Sequence, residues 1–378
     1  MPRSRIDTSL ARSELEDFAF PLGVYPVEEF APRQGYTMEF EAADGDDEEG
    51  EWEEWPDRYV FDVAITATRL ESLCRSLFSL MPGRVYPILD VLGHDAYREV
   101  DPYIAYDLVG FDRFMEAVRR HRGWFYEDGL VGFGAMSLDP FIYVFVDEHK
   151  IVTVRVETNL RDSVEKILAA FDLESVEELR SVDAAVHEHR GALLAPENRP
   201  DLMVAEEIIE ELVEDWRLRL NIDRSSNTDD LGRELGVTGW RCLVRIDEEN
   251  QAPPRYAEAI LTAGSLDEAE QLVIQAVETA QAAGDTEDAT ESNAEAADTT
   301  VDLDDDEFDL FGPNLTLVTV ERVTPEEYRR LLATESGEED DLSPALAPST
   351  PGEAAGDSAE GPLEMGGAHV DVFRWLAG

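Results

Sequence analysis

The chain has 378 residues, 43% of them hydrophobic, and carries 85 acidic against 31 basic residues, a formal net charge of −54. So acidic a chain repels nucleic acids and anionic membranes, and neither is expected as a partner. There is no apolar run of about 18 residues that could form a transmembrane helix, and no apolar core of a secretory signal near the N-terminus. Cys74 and Cys242 are the only cysteines, so we expect buried thiols in a reducing cytoplasm.

Most of the excess negative charge lies in three segments, 43–57, 284–309 and 335–364, which contain 9, 12 and 9 acidic residues and no basic residue. Such segments bury too little apolar surface to fold, so we predict acidic disordered linkers. Adaptation to a high-salt cytoplasm, as in a halophile, is an alternative explanation of the charge that the sequence leaves open.

An N-terminal arm, residues 1–36, is predicted to contain a short helix from Thr8 to Phe18. Residues 37–173 follow as an α+β domain that carries the acidic loop 43–57. Its strand and helix patterns alternate in the order β-α-β-β-α-β, which predicts a ferredoxin-like sheet. Two further apolar runs, 141–147 and 151–157, flank a polar turn and predict a β-hairpin that extends this sheet.

Residues 174–222 are predicted to form a helical connector, with helices at 175–192 and about 202–220. A second, smaller α+β unit spans 237–334 in the order β-β-α-β-α and contains the acidic insertion 284–309. The acidic linker 335–364 leads to an apolar C-terminal segment, 365–378.

The motif VHEHRG places His187 and His189 on either side of a glutamate. Two histidines on one face of a strand could bind one metal ion, because residues i and i+2 of a strand share a face. The surrounding sequence instead predicts a helix, on which residues i and i+2 point about 200° apart. We therefore predict no metal site, and we predict no other cofactor.

The loop 94–101, HDAYREVD, gathers His94, Asp95 and Arg98 between two predicted strands. Polar residues concentrated in one loop are the best candidates here for catalysis or small-molecule binding. Solvation of an ordinary surface loop is the alternative. No nucleophile lies in a recognisable catalytic triad or nucleophile elbow. Enzymatic activity is therefore uncertain, and the sequence favours a protein without it.

The C-terminal segment contains Phe373, Trp375 and Leu376, side chains that a free tail has no physical reason to carry. It is expected to dock, either on its own folded domain or on a partner or second copy. We therefore expect a non-catalytic protein-interaction or regulatory module. The alternative is a small-molecule-binding sensor or enzyme with its site at the 94–101 loop.

Overall fold

A computed structural model describes seven stretches of the chain: residues 4–43, 55–93, 95–194, 202–246, 255–287, 315–336 and 367–376. Most of the three acidic segments lies outside these stretches, so their disorder stays a prediction. The described residues form a mixed α+β structure that is mostly sheet. None of the described helices combines the length and the apolar character needed to cross a bilayer.

The chain divides into two compact units. The first unit comprises residues 1–93 and 100–222, and the second comprises residues 94–99 and 223–378. The strands of the first unit are β1 Glu14–Leu15, β2 Phe18–Ala19, β3 Val24–Pro26, β4 Gly35–Glu41, β5 Arg58–Ala64, β6 Arg84–Leu92, β7 Val100–Ala105, β8 Val109–Gly110, β9 Val131–Leu138, β10 Phe141–Val146, β11 Val152–Glu157, β12 His187–His189 and β13 Leu218–Leu220. Its helices are α1 Ala67–Phe78, α2 Phe111–Arg120, α3 Arg122–Glu127, α4 Arg161–Ala170 and α5 Ala205–Trp216.

A nine-stranded antiparallel sheet forms the centre of the first unit, in the order β13-β7-β6-β9-β10-β11-β5-β4, with β8 paired to β6. Strand alternation produces a buried face: Val152, Val154 and Val156 of β11 are fully buried, whereas Thr153 and Arg155 between them are not. The buried face packs on side chains from all five helices in one apolar core.

The predicted order β-α-β-β-α-β occurs along the chain, but a ferredoxin-like strand order is not found. That order would leave a single strand between β5 and β6, the strands that flank α1. Here β9, β10 and β11 lie between them. The hairpin β10–β11 therefore occupies the middle of the sheet and does not extend its edge, because β11 pairs with β5.

Two helix predictions in the first unit are wrong. The segment 175–192 contains a single 3₁₀ turn at Val182–Ala184 and the strand β12, and it contains no α-helix. The N-terminal segment predicted as a helix from Thr8 to Phe18 contains β1 and leads into β2, which pairs with it. In both cases strand pairing overrides the helical propensity of the segment: β12 pairs with the distant β3, and β1 pairs with β2 in a short hairpin.

The second unit has the predicted order β-β-α-β-α, followed by one more strand. Its elements are β14 Thr238–Ile246, β15 Arg255–Ala263, α6 Leu266–Glu287, β16 Leu315–Val323, α7 Pro325–Ser336 and β17 His369–Leu376. The four strands form an antiparallel sheet in the order β16-β14-β15-β17.

The C-terminal segment forms β17, which pairs with β15 along its length. The Arg255 guanidinium lies 3.7 Å from the centre of the Trp375 ring, and Phe373 packs edge-on against the same ring at 5.6 Å. Leu376 stays exposed. The segment therefore docks on the sheet of its own second unit. Docking on a partner or a second copy stays a prediction.

Deleting residues 369–378 should lower the free energy of unfolding of the second unit by about 1–3 kcal/mol, because the partly buried Phe373 and Trp375 lose their apolar contacts. Urea denaturation followed by circular dichroism measures the change. Leu376→Ala is the matched control and should change stability by less than about 0.5 kcal/mol, since the side chain is exposed. Unchanged stability after the deletion would show that β17 does not support the fold.

Candidate functional site

Three histidine side chains of the first unit converge: His149, His187 and His189. One ring nitrogen from each lies within 4.8 Å of the others. The ring centres are 4.8–5.0 Å apart, and each pair of rings is inclined by more than 70°. All three side chains are partly buried. The sequence-based prediction of a helix here is wrong. Because His187 and His189 lie on a strand, the reason for excluding a metal ion at these two residues no longer applies.

The strand β12 presents His187 and His189 on the same face. It pairs antiparallel with β3, so that Glu188 lies opposite Tyr25 and His189 opposite Val24. Glu188 points to the other side, where its carboxylate accepts a short hydrogen bond from the Tyr25 hydroxyl. The alternation of a strand therefore places both imidazoles together.

His149 is carried by the tight turn between β10 and β11. The Lys150 backbone N–H donates to the Asp147 carbonyl at 3.1 Å, and the Ile151 N–H donates to the Asp147 carboxylate at 2.7 Å. Lys150 occupies the left-handed region with φ of 67°, an uncommon conformation for a residue other than glycine. The Lys150 side chain is buried, which fixes the orientation of the turn. The backbone of His149 therefore has a fixed position.

Backbone carbonyls determine the tautomers of the two β12 histidines. His187 Nδ1 lies 2.7 Å from the carbonyl oxygen of Ala185, and His189 Nδ1 lies 2.7 Å from that of Gly129. A carbonyl oxygen only accepts, so each Nδ1 carries the proton and donates it. The two Nε2 atoms lie 3.1 Å apart, and in neutral rings each carries an unshared lone pair. A cation between them, either a proton or a metal ion, removes the repulsion.

A bound proton is disfavoured at His189. Burial lowers the pKa of the His189 imidazole, and the neighbouring His149 and His187 act in the same direction, outweighing the hydrogen bond to Gly129. The geometry also suits a metal ion. Tetrahedral Zn²⁺ with Zn–N bonds of about 2.05 Å needs nitrogens about 3.3 Å apart. The observed 3.1 Å is close to that separation.

Carboxylates surround His149. Its Nδ1 lies 3.3 Å from a Glu148 oxygen and 3.6 Å from an Asp147 oxygen, so these carboxylates favour a proton on Nδ1. With the proton on Nδ1, Nε2 is the nitrogen that could bind a metal ion. Burial alone would lower the pKa of His149, but the hydrogen bond to Asp147 and the charges of Asp147, Glu148 and Asp183 raise it. The same negative field attracts a metal cation.

One buried cation offsets part of this field. Burial lowers the pKa of the Lys150 ammonium to about 8, although Asp128, Asp147 and Glu148 favour its charged form. Nearby, burial and the charge of Glu148 raise the pKa of Asp90 to about 7. The region around the turn thus holds several carboxylates whose mutual repulsion a divalent cation would relieve.

The residues of the 94–101 loop are placed differently from the histidines. His94 lies outside the described residues. Both oxygens of the Asp95 carboxylate accept hydrogen bonds from the Arg322 guanidinium, at 2.8–3.0 Å, and Arg98 approaches Asp95 at 4.0 Å. The side chains of Asp95 and Arg322 are 1% and 4% exposed. This geometry supports an anchoring role for Asp95 within the second unit.

Local spacing in the sequence could not reveal the third histidine, because His149 lies 38 positions before His187. Two features of the sequence could have indicated the cluster: the polar turn DEHK, which places His149 between two predicted strands, and the motif HEH, if it is assigned to a strand.

Comparison of the chain with protein-family models, with curated proteins and with solved structures gave no match.

Replacing Asp95 by alanine should lower the free energy of unfolding of the second unit by about 3–5 kcal/mol, because Arg322 keeps a buried charge without its carboxylate. Chemical denaturation measures this loss, with Glu278→Ala, at an exposed position of α6, as the surface control. The double variant Asp95→Leu with Arg322→Met should recover much of it. A single variant as stable as the natural chain would contradict the anchoring role.

Proposed function

We propose that the chain is a metal-responsive regulatory protein that binds one divalent transition-metal ion through His149, His187 and His189. The observation that carries the proposal is the approach of two Nε2 atoms to 3.1 Å while both Nδ1 protons are held by backbone carbonyls. Such a pair is preorganised for a shared cation. The third imidazole completes a set of nitrogen ligands.

The ligand set favours zinc and its neighbours. Imidazole nitrogen suits Zn²⁺, Cu²⁺, Ni²⁺ and iron, whereas Ca²⁺ and Mg²⁺ prefer oxygen ligands. Thiolate ligands do not enter the set: Cys74 and Cys242 are buried in other parts of the structure, and burial raises the pKa of both thiols. Zinc is therefore the reference ion for the tests below.

The number of ligands supports a responsive role. Structural zinc sites normally use four protein ligands, whereas three protein ligands leave one coordination position for water or a small anion. A partly buried site of this kind exchanges its ion with the solution more readily than a closed one. This property fits the regulatory module expected from the sequence.

The interaction role also expected from the sequence stays a proposal and rests on the C-terminal strand. Phe373, Trp375 and Leu376 are the candidate contacts, since β17 lies at the edge of its sheet and Leu376 is exposed. A sensor or enzyme site at Asp95 and Arg98 has less support, because the Asp95 carboxylate is already bound by Arg322.

The natural chain should bind one Zn²⁺ per molecule in isothermal titration calorimetry with excess Mg²⁺ present. Magnesium occupies exposed carboxylates without competing for imidazole nitrogen, so this condition removes binding by the acidic surface. His149→Ala should weaken zinc binding by about 100-fold or more, since losing even an outer-shell partner of a metal ligand costs 10–100-fold.

The matched control is His369→Ala, which removes a partly exposed histidine of β17 and should leave zinc affinity unchanged. Affinity should also fall as the pH is lowered from 7.5 to 5.5, because protons compete with the metal ion for His149, whose pKa the neighbouring carboxylates raise. Equal zinc affinity in the natural chain and His149→Ala would overturn the proposal.

A further inference from the structure

We infer that the metal ion acts as a clamp that fastens the ribbon β3–β12 to the central sheet, so that metal occupancy controls whether this ribbon opens. The inference rests on the proposed metal site and adds its regulatory consequence. The ribbon is defined here as residues 20–30 and 180–193, which include the two paired strands.

The three ligands come from two different sheets of the first unit. His149 belongs to the turn that joins β10 and β11 inside the nine-stranded sheet. His187 and His189 belong to β12, which forms a separate two-stranded sheet with β3. A metal ion bound to all three therefore links the ribbon to the sheet through coordinate bonds between residues 38 positions apart in the chain, His149 and His187.

Hydrogen bonds attach the ribbon to a different element, residues 127–129 at the end of α3, and the bond from His189 Nδ1 to the Gly129 carbonyl is one of them. Gly23 N–H donates to the Glu127 carbonyl at 2.6 Å, Gly129 N–H donates to the Arg190 carbonyl at 3.1 Å, and Ala192 N–H donates to the Asp128 carboxylate at 2.6 Å. The metal would add an attachment at the β10–β11 turn. Attachment to two elements resists hinge opening better than attachment to one.

The apolar cluster associated with the ribbon is small and distinct from the main core. It contains the buried side chains of Phe18, Phe20, Val24 and Val182, with Leu15 and Phe30 packed at its margin. The central core forms a separate and much larger cluster, which Leu193 at the end of the ribbon also contacts. A segment with few apolar contacts opens at lower free energy than the global fold, so the ribbon is suited to local unfolding.

Opening of the ribbon moves His187 and His189 away from His149 and destroys the ligand set. A ligand that binds only the closed form suppresses opening by the factor 1 + [M]/Kd. Free Zn²⁺ at 100 times its Kd should therefore slow opening-limited amide exchange in the ribbon by about 100-fold.

Hydrogen–deuterium exchange of the full chain, analysed by mass spectrometry with and without Zn²⁺, tests the clamp. Peptides covering 20–30 and 180–193 should be protected by zinc, and peptides covering β14 and β15 should not change. His149→Ala keeps both β12 histidines and should lose the protection, whereas His369→Ala should keep it. Without zinc, His149→Ala and the natural chain should exchange alike, which shows that the variant folds.

The two proposals fail differently. Zinc binding that depends on His149, with no added protection of the ribbon, would overturn the clamp and leave the metal site standing. Zinc affinity that does not depend on His149 would overturn both. Equal protection of the ribbon in the natural chain and in His149→Ala would also overturn the clamp, because the link to the central sheet would then be unnecessary.

Discussion

Two backbone carbonyls, those of Ala185 and Gly129, set the chemistry of the histidine cluster. Each accepts an N–H from one imidazole at 2.7 Å, so the Nε2 lone pairs of His187 and His189 are directed at each other across 3.1 Å. A histidine with a free choice of tautomer would relieve this repulsion by moving its proton to Nε2. Here that change of tautomer would break the hydrogen bond to the backbone carbonyl. A cation bound between the two Nε2 atoms is the remaining way to remove the repulsion.

The backbone around the cluster is built to hold these carbonyls in place. A Cβ atom at Gly129 would lie 2.0 Å from the carbonyl oxygen of Gly23, so the two segments can cross only with glycine at this position. The same crossing places Arg190, which follows β12, beside Gly129, which precedes β9, and the Gly129 carbonyl faces His189. The Asp128 carboxylate, which accepts from Leu130 and Ala192, ties the same crossing together.

Acidic side chains also surround the histidine cluster. Asp147, Glu148 and Asp183 raise the pKa of His149, and Glu148 adds to the burial that raises the pKa of Asp90. Such a field would favour any cation, including Ca²⁺ and Mg²⁺, and gives no selectivity by itself. The imidazole nitrogens supply the selectivity for transition metals, and the carboxylates strengthen the attraction.

Periodic patterns allowed much of the fold to be predicted. The continuous apolar run of β10, the apolar alternation of β11 and the helical stripe of α1 are properties of neighbouring residues, and the second unit follows its predicted order. The histidine cluster could not be predicted in the same way. The segment around His187 has helical spacing, and only its pairing with β3, about 160 residues earlier, makes it a strand. The ferredoxin-like order failed for a similar reason, because long-range pairing places β10 and β11 between β9 and β5.

X-ray absorption spectroscopy at the zinc edge tests the central claim most directly, because it counts and identifies the atoms bound to the ion. For the natural chain loaded with one equivalent of Zn²⁺, we expect three imidazole ligands, with nitrogens at about 2.0–2.1 Å and the multiple-scattering pattern of imidazole rings, plus one light atom from water or a carboxylate. In His149→Ala one imidazole should be lost. A spectrum dominated by oxygen ligands without imidazole scattering would contradict the account, since the ion would then be held by the acidic surface of the chain.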